Sequence, residues 1–321
     1  MGICLVTGGA GFIGSHIVEE LLNLGYKVRV IDNFCTGKMR NIKHLISDIE
    51  LIKGDIRDRE QLSLALDNAE YVFHEAALRS VPRSVDDPLS TNDVNVYGTL
   101  LLLEVARKKK VKRIIYASSS SVYGNVPILP KREDQVPAPI SPYAVSKLVG
   151  EYYCKVYTEI YGLDTISLRY FNVFGPRQDP YSRYAAVVPK FILLALKDEP
   201  LEIHGDGKQS RDFTYVKNVV KANIRAMHVK RGGGKVYNIA CGEKYSVLDI
   251  AEVVGKILRK KLRYRFTSPR KGDVRHTLAD ISLAEKELGY KPEVDFYSGM
   301  VETVEYFCRF FKQGARVRVK N

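Results

Sequence analysis

The chain has 321 residues, 45% of them hydrophobic and 27% charged, which is the composition of a folded protein and excludes a disordered one. Its formal net charge of +13 would attract phosphates, but the basic residues are dispersed, and the one dense run, residues 107–110, lies at the end of a predicted helix, where cations suit the helix dipole. We therefore predict no nucleic-acid partner, and the five single cysteines, with no Cys-x-x-Cys pair, predict no metal site.

The first predicted strand, residues 3–6, follows Met1 almost directly. This leaves no room for a charged leader, an apolar signal segment or a cleavage site. No apolar run approaches the ~20 residues that a membrane-spanning helix needs. We expect a cytoplasmic protein that makes no membrane contact.

Short β-branched runs alternate with amphipathic helical stretches through the first half of the chain. This βα repeat is typical of a parallel sheet covered by helices on both faces. The predicted strands cover residues 3–6, 27–31, 49–53, 71–73, 113–117 and 165–169. After about Phe171 the alternation gives way to shorter elements, including a strand at 236–240 and a helix at 246–258. We predict an α/β fold with a Rossmann-type doubly wound parallel sheet at residues 1–170 and a smaller C-terminal α/β substrate lobe at residues 171–321, partly interleaved with it.

Two predicted helices are apolar around more of their circumference than one sheet can cover. The first contains the four leucines of residues 100–103, and the second spans residues 143–161. On the second helix, one apolar stripe consists of Val145, Val149, Tyr152, Val156 and Ile160. Such helices need a partner beyond their own sheet, so we predict a homodimer built on them.

A glycine-rich loop joins the first strand to the first helix, and it contains Gly8, Gly11, Phe12, Ile13 and Gly14. Glycines there let the backbone turn sharply, let a pyrophosphate approach the helix N-terminus and let the helix pack closely on the sheet. A glycine triplet alone is a weak signal, but strand, loop and helix in this order predict a dinucleotide site.

A carboxylate, Asp32, ends the second strand and is followed by Asn33. At this place it can bond the adenosine ribose hydroxyls and repel a 2′-phosphate, which favours NAD over NADP. Further predicted cofactor contacts, most of them at later strand ends, are Asp55, Ile56, Ala76, Ala77, Asn95 and Tyr170.

A serine cluster, residues 118–121, follows the fifth strand, and Tyr143 and Lys147 lie downstream on one helix face. A lysine ammonium near a phenol favours phenolate and would lower the pKa of Tyr143, and a positive nicotinamide ring would act in the same direction. Tyr143 is the predicted base. A Tyr-x-x-x-Lys pair occurs by chance on many helices, so this prediction depends on the glycine loop and the serine cluster upstream.

Taken together, the three motifs resemble the extended short-chain dehydrogenase/reductase family, in which they recur in this order. The resemblance runs from residue 1 to about residue 310. It implies that Ser119 is the catalytic serine and that Lys147 tunes Tyr143 and holds the nicotinamide ribose.

Motifs of the second half, at residues 168–178, 205–213 and 270–273, are similar to those of UDP-sugar 4-epimerases. The resemblance implies that the diphosphate and uridine are bound by Asn172, Arg211 and Arg270. Arginines suit a diphosphate through forked, charge-assisted bonds. For Arg211 or Arg270 taken alone, an ion pair with the neighbouring Asp212 or Asp273 is a fair alternative.

The reaction implied by this resemblance is a redox-neutral inversion at C4 of a UDP-hexose. Tyr143 removes the O4 proton while NAD takes the C4 hydride, and the hydride returns to the opposite face of the 4-keto sugar. Ser119 bonds O4, and NAD stays bound through turnover. Related dehydratases carry an acidic pair where this chain has Ser120 and Ser121, so dehydration is disfavoured.

A closer resemblance, through residues 80–84, 178–180 and 184–187, is to bacterial-type UDP-N-acetylglucosamine 4-epimerases. It implies UDP-GlcNAc and UDP-GalNAc as substrates, with UDP-Glc and UDP-Gal as a second pair. Thr277 stands at a gate that is bulky in epimerases restricted to glucose and galactose, so it leaves room for an N-acetyl group. The remaining predicted substrate contacts are Ser80, Arg83, Ser120, Gln178, Val187 and Asp273.

Two alternatives stay open. A UDP-glucuronate 4-epimerase shares the serine run and tolerates a threonine near the gate, but the arginine that binds its carboxylate is Asp179 here. A non-catalytic NAD-binding regulator belongs to another class, since one fold hosts many functions. The intact Ser119, Tyr143 and Lys147 argue against it.

Overall fold

The computed structural model describes residues 2–182, 185–268 and 274–318. Its strands are β1 (Ile3–Thr7), β2 (Lys27–Asp32), β3 (Ile49–Lys53), β4 (Ala69–His74), β5 (Arg113–Ser119), β6 (Asp164–Tyr170), β7 (Val173–Phe174), β8 (Leu201–His204), β9 (Ser210–Arg211), β10 (Thr214–Tyr215), β11 (Lys235–Ile239), β12 (Tyr245–Ser246) and β13 (Tyr264–Thr267). Its helices are α1 (Phe12–Asn23), α2 (Arg59–Ala65), α3 (Val81–Asp86), α4 (Pro88–Asn92), α5 (Gly98–Lys108), α6 (Pro142–Tyr161), α7 (Val187–Leu196), α8 (Val216–His228), α9 (Val247–Leu258), α10 (Ser282–Leu288) and α11 (Phe296–Arg318).

The main sheet has seven parallel strands in the order β11-β6-β5-β4-β1-β2-β3. The six strands predicted in the first half are all present, and the predicted doubly wound α/β fold is confirmed. Strand β11 comes from the second half of the chain and pairs with β6, from Lys235 opposite Ile166 to Ile239 opposite Tyr170. The strand order reverses beside β1, and parallel sheets bind ligands at the carboxyl ends of the strands at such a point.

Two apolar layers cover the two faces of this sheet. On one face α1 and α8 bury side chains such as Ile17, Val18 and Val219, and on the other α2, α5 and α6 bury side chains such as Leu102 and Cys154. Burying each large aliphatic side chain contributes about 1.5–3 kcal/mol. A third cluster, built around α7, α9 and α11, forms the core of the C-terminal lobe.

Helix α6 carries the predicted catalytic residues, and its start is sharply defined. The Ser141 side chain accepts from the Ala144 nitrogen at 3.2 Å, and Pro142 stands in the first turn, where it costs no hydrogen bond. The helix ends at Gly162, whose φ of +71° is left-handed. Ser141 and Pro142 therefore fix where Tyr143 and Lys147 emerge.

The outer face of α6 is left uncovered. Val145, Tyr152, Val156 and Ile160 are 46%, 56%, 40% and 68% exposed. These residues form most of the apolar stripe that the sequence predicted. No helix in the described part of the chain is long and apolar enough to cross a membrane.

The basic run at residues 107–110 is largely neutralised. Arg107 and Lys108 pair with Glu104 at 2.8 and 3.0 Å, and Lys109 pairs with Asp67 at 3.0 Å. Such pairing is typical of a solvated surface, as the sequence predicted.

Candidate active site

The loop between β1 and α1 lies where the strand order reverses. Gly8 has a φ of +69°, and a Cβ there would lie 2.8 Å from the Ala76 nitrogen, so only glycine lets the loop after β4 pass this closely. The Gly11 nitrogen donates to the Gly8 carbonyl at 2.9 Å. A Cβ on Gly14 would also collide with that carbonyl. The N-terminus of α1 lines this crevice together with the glycine loop, an arrangement that suits a phosphate.

A Gly8→Ala variant should weaken NAD binding by at least roughly tenfold, or ~1.4 kcal/mol, because strain and collision both push the loop out of place. Gly162→Ala is the matched control. Gly162 has a φ of +71°, but its Cβ would meet nothing within 4 Å. NAD content after purification, and titration of the stripped protein, measure the effect. Equal NAD affinity in the two variants would contradict this role for the loop.

Asp32 is buried beside the glycine loop. Its carboxylate oxygens accept from the Ala10 nitrogen at 2.9 Å and the Phe34 nitrogen at 2.8 Å. Burial raises the pKa of Asp32, and these two bonds oppose the rise. Each oxygen keeps a second lone pair for a ribose hydroxyl. The residues present thus fit an adenosine ribose without a 2′-phosphate.

One cleft at this edge of the sheet collects most of the predicted cofactor residues, namely Gly8, Gly11, Phe12, Ile13, Gly14, Asp32, Asn33, Asp55, Ile56, Ala76 and Ala77. Asn95 is different, because its amide is bonded to both backbone groups of Leu78 and to the Ser146 hydroxyl at 2.8–3.1 Å. Asn95 therefore connects the loop after β4 to α6 by hydrogen bonds. Its direct contact with the cofactor stays a prediction.

The catalytic set comes together at the carboxyl end of β5. Ser119 is the last residue of β5, and its hydroxyl is near enough to the Tyr143 phenol on α6 to oppose the rise in the pKa of Tyr143. Lys147, one turn further on, is buried and donates to the Ala117 carbonyl at 2.8 Å. Tyr143 and Ser119 line a second cleft of about 520 Å³ that adjoins the cofactor cleft. The three residues predicted from sequence are therefore brought together.

The expected lowering of the pKa of Tyr143 by Lys147 is not found. Burial raises the pKa of Tyr143, and the groups that oppose this are Ser119 and Arg79. Burial also lowers the pKa of Lys147 to about 8. The sequence spacing placed the two groups on one helix face, but the Lys147 ammonium is directed to the carbonyl of Ala117 on β5.

A buried ion pair fixes α6 to the sheet below the catalytic residues. Arg169 on β6 donates two bonds to Glu151 on α6, at 2.9 and 2.7 Å, and Ser118 donates a third. The Arg169 and Glu151 side chains are 4% and 3% exposed. The guanidinium also lies 4.7 Å from the centre of the Tyr123 ring. This network holds β5, β6 and α6 in register one turn below Lys147.

The predicted substrate residues are divided among three places. Ser120 and Thr277 line the cleft at Tyr143. Asn172 lines both this cleft and a further one that contains Arg211 and Val187. Ser80 and Arg83 form the first turn of α3, where the Ser80 side chain accepts from the Arg83 nitrogen. Gln178 is buried, and its amide donates to the Val173 carbonyl at 3.2 Å, so it does not line either cleft. The predicted Arg270 and Asp273 lie outside the described residues.

Asn172 is held at the clefts by its own backbone and by its neighbour Asp212. Asn172 has a φ of +33°, which asparagine tolerates better than most residues, and its amide donates to the Asp212 carbonyl at 2.9 Å. The Asp212 carboxylate accepts from the backbone nitrogens of Cys241, Gly242 and Ala279 at 3.0–3.2 Å. The Asp212 carboxylate is therefore bound by the backbone and does not form the ion pair with Arg211 that was the alternative from sequence.

Several cleft residues were missed from sequence. Arg79, Arg177 and Asp179 line the cofactor cleft, and His204 lines the cleft at Arg211. Arg79 lies in the loop after β4, in which Ala76 and Ala77 were predicted to contact the cofactor, and this position could have marked it. Arg177 and Asp179 reach the cofactor cleft from the second half of the chain, and sequence spacing carries no signal for such a contact.

Residues 4–240 match the model of the NAD dependent epimerase/dehydratase family. The chain belongs to that family. A putative UDP-glucose 4-epimerase of Methanocaldococcus jannaschii is 40% identical over 304 residues, which are 94% of this chain and 97% of the relative.

Two solved structures extend the comparison. The UDP-N-acetylglucosamine 4-epimerase of Methanobrevibacter ruminantium, in complex with UDP-N-acetylmuramic acid, is 43% identical with a TM-score of 0.92, over 96% of this chain and 99% of that one. The UDP-glucuronic acid 4-epimerase of Bacillus cereus, in complex with UDP-glucuronic acid and NAD, is 37% identical with a TM-score of 0.90, over the same shares of the two chains.

Membership of the NAD-dependent epimerase/dehydratase family confirms the resemblance and the cofactor predicted from sequence. The residues described above fit that cofactor. Its phosphates suit the N-terminus of α1, its adenosine ribose suits Asp32, and Glu75, Ala76 and Ala77 after β4 line the same cleft.

Proposed function

We propose that the chain is a UDP-hexose 4-epimerase that interconverts UDP-GlcNAc and UDP-GalNAc, with UDP-Glc and UDP-Gal as a second pair. The observation that carries this proposal is the meeting of Ser119 and Tyr143 in a cleft that continues from the cofactor cleft toward Asn172 and Arg211. Related 4-epimerases share the fold over nearly the whole chain.

The chemistry follows from this arrangement. NAD, held at the glycine loop and Asp32, would supply the reversible hydride chemistry at C4. Tyr143 takes the O4 proton and gives it back after the keto sugar has turned, while Ser119 bonds O4. Asn172 and Arg211 hold the diphosphate and uridine, which lets the hexose rotate while its nucleotide stays fixed.

Thr277 supports an N-acetylated sugar. It lines the cleft at Tyr143, and its hydroxyl lies 3.4 Å from the amide of Asn172 and from the Asp212 nitrogen. The side chain is held back against this backbone and leaves the cleft wide. One missing or added group in a pocket decides which sugar fits.

One observation favours the runner-up, a UDP-glucuronate 4-epimerase. Among the described residues that line the cleft at Tyr143 there is no carboxylate, whereas Arg79, Lys131 and Arg211 bring positive charge. Such a cleft suits an acidic sugar as well as a diphosphate.

Separate incubations of the purified protein with UDP-GlcNAc, UDP-Glc and UDP-glucuronate, followed by proton NMR at C4, test the assignment. We expect inversion of UDP-GlcNAc with the highest kcat/KM. Reaction of UDP-glucuronate alone would replace the sugar assignment. If NAD is bound and none of the three reacts, the non-catalytic regulator becomes the better account.

We also propose a homodimer that buries the exposed apolar stripe of α6. Tyr152→Asp should give a monomer near 36.3 kDa by light scattering, whereas the unmodified chain should give twice that mass. A carboxylate placed in an apolar interface loses its hydration without gaining an ion-pair or hydrogen-bond partner. Tyr297→Asp is the control, because Tyr297 is similarly exposed, at 52%, but lies on α11. A wild-type monomer at micromolar concentration would contradict the proposal.

A further inference from the structure

His74 is the last residue of β4, and it lies opposite Thr7 at the end of β1, where the strand order reverses. Its side chain is 1% exposed. One ring nitrogen, Nδ1, lies 2.8 Å from the Thr7 hydroxyl, and the other, Nε2, lies 2.9 Å from the Thr99 hydroxyl on α5. A neutral imidazole carries its proton on one nitrogen and accepts at the other, so the partners of His74 decide which is which.

The Thr99 hydroxyl fixes the tautomer of His74. This hydroxyl has one proton, and it donates that proton to the Asn95 carbonyl at 2.6 Å. It can therefore only accept from the imidazole, so Nε2 carries the ring proton and Nδ1 is the acceptor. Burial, followed by the charge of Lys147, lowers the pKa of His74 to about 3, which agrees with a neutral ring.

The Nδ1 acceptor acts on the cofactor cleft through Thr7. Thr7 donates its hydroxyl proton to Nδ1, and the same oxygen accepts from the Ala76 nitrogen at 3.2 Å. Ala76 lines the cofactor cleft, and its nitrogen is the atom that lies 2.8 Å from the Cβ position of Gly8. The bond from Ala76 to Thr7 therefore holds the loop after β4 at its close approach to the glycine loop.

The Nε2 side of His74 continues toward the catalytic helix. Thr99 bonds the backbone carbonyl of Asn95, whose amide holds Leu78 in the loop after β4 and donates to the Ser146 hydroxyl at 3.0 Å. Ser146 donates to the Tyr143 carbonyl at 2.8 Å. The threonine, asparagine and serine of this series are buried, so the loss of a partner is costly at each of them.

We propose that His74 is a positioning residue of the NAD site, which as the Nε2–H tautomer orients the Thr7 hydroxyl and thereby holds Ala76 beside Gly8. The inference goes beyond the proposed epimerase activity, because it concerns the cofactor site and applies whichever UDP-sugar reacts. When Nδ1 cannot accept, the Thr7 proton loses its buried partner, the hydroxyl turns, and Ala76 loses its acceptor. The loop after β4 then moves away from Gly8, and NAD binds more weakly.

Three substitutions separate the two ends of the imidazole. His74→Asn keeps an amide oxygen at the level of Nδ1, His74→Gln places its amide at the level of Nε2, and His74→Phe keeps a ring without either bond. Titration of the stripped proteins should show NAD bound roughly tenfold more weakly by His74→Phe and His74→Gln than by the wild type, and within about threefold of the wild type by His74→Asn. His228→Phe, at the exposed end of α8, is the control and should bind NAD as the wild type does.

Unfolding in urea distinguishes positioning from a purely structural role. A purely structural role would lower the free energy of unfolding in all three variants and leave the NAD affinity of the folded proteins unchanged, which would overturn the proposal. Normal NAD binding by His74→Gln together with weak binding by His74→Asn would also overturn it, because the effect would then come from the Thr99 end of the ring.

Nitrogen-15 NMR of the histidine rings tests the tautomer directly. The signals of His74, one of six histidines, are assigned by their absence in His74→Asn. We expect a proton on Nε2 alone at neutral pH, and a proton on Nδ1, or on both nitrogens, would overturn the proposal.

Thr7 gives a second test if the His74 variants do not fold. Thr7→Val removes the hydroxyl at nearly constant shape and should weaken NAD binding roughly tenfold, and Thr7→Ser should restore it. Equal NAD affinity in the two Thr7 variants would contradict the proposal. If NAD binds as expected and the wild type turns over no UDP-sugar, the proposed function fails and the role of His74 stands.

Discussion

Replacing Tyr143 by phenylalanine should lower kcat for UDP-sugar epimerisation by roughly 10²–10⁴-fold while NAD stays bound. The phenol is the group placed to take the O4 proton, because it lines the cleft beside Ser119. Phenylalanine keeps the ring and the packing and removes only the proton acceptor. NAD content is measured after acid release, and turnover is measured by NMR.

Tyr161→Phe provides the control for this experiment. Tyr161 lies at the far end of the same helix, 50% exposed, with the Arg107 guanidinium 4.9 Å from the centre of its ring. This variant should turn over as fast as the wild type. Near-normal turnover in Tyr143→Phe would contradict the mechanism in which Tyr143 takes the O4 proton.

Glu151→Ala should destabilise the fold by about 3–5 kcal/mol, because it leaves Arg169 buried without its partner. The pair is almost fully excluded from water, with side chains 4% and 3% exposed. The free energy of unfolding in urea measures the loss. The catalytic helix should also lose its tie to β6, so kcat should fall in the fraction that remains folded.

Two further variants separate charge from packing. Replacing both partners, Glu151→Met with Arg169→Met, should cost less than Glu151→Ala alone, since no unpaired charge remains. Glu104→Ala removes a partner of Arg107 whose side chain is 25% exposed, and it should shift the denaturation midpoint far less. A loss below about 1 kcal/mol in Glu151→Ala would show that the ion pair does not hold α6.

The fold was predictable because its signals are local. Short runs of β-branched residues marked the six strands of the first half, and α6 begins at Pro142, one residue before the helix predicted at 143–161. The glycine loop was predictable for the same reason, since strand, loop and helix follow one another along the chain. The order of the strands in the sheet is a different case, because it depends on pairing between segments far apart in sequence. The pairing of β11 with β6 is an example.

The site was predictable only in part. Ser119, Tyr143 and Lys147 could be named from spacing and resemblance, but spacing does not show that the Lys147 ammonium bonds the Ala117 carbonyl or that burial raises the pKa of Tyr143. Gln178 was predicted as a substrate contact from a motif. In the structure it is buried with its amide on the Val173 carbonyl.

The central claim, C4 inversion by a retained cofactor, is tested most directly with a UDP-hexose that carries deuterium at C4. If the hydride leaves C4 and returns to the same carbon, the product epimer keeps its deuterium, and no NADH accumulates at 340 nm. Mass spectrometry and proton NMR of the product both report the label. Retention of the deuterium in the inverted sugar is the predicted result, and its loss to solvent, or inversion without NAD in the protein, would contradict the account.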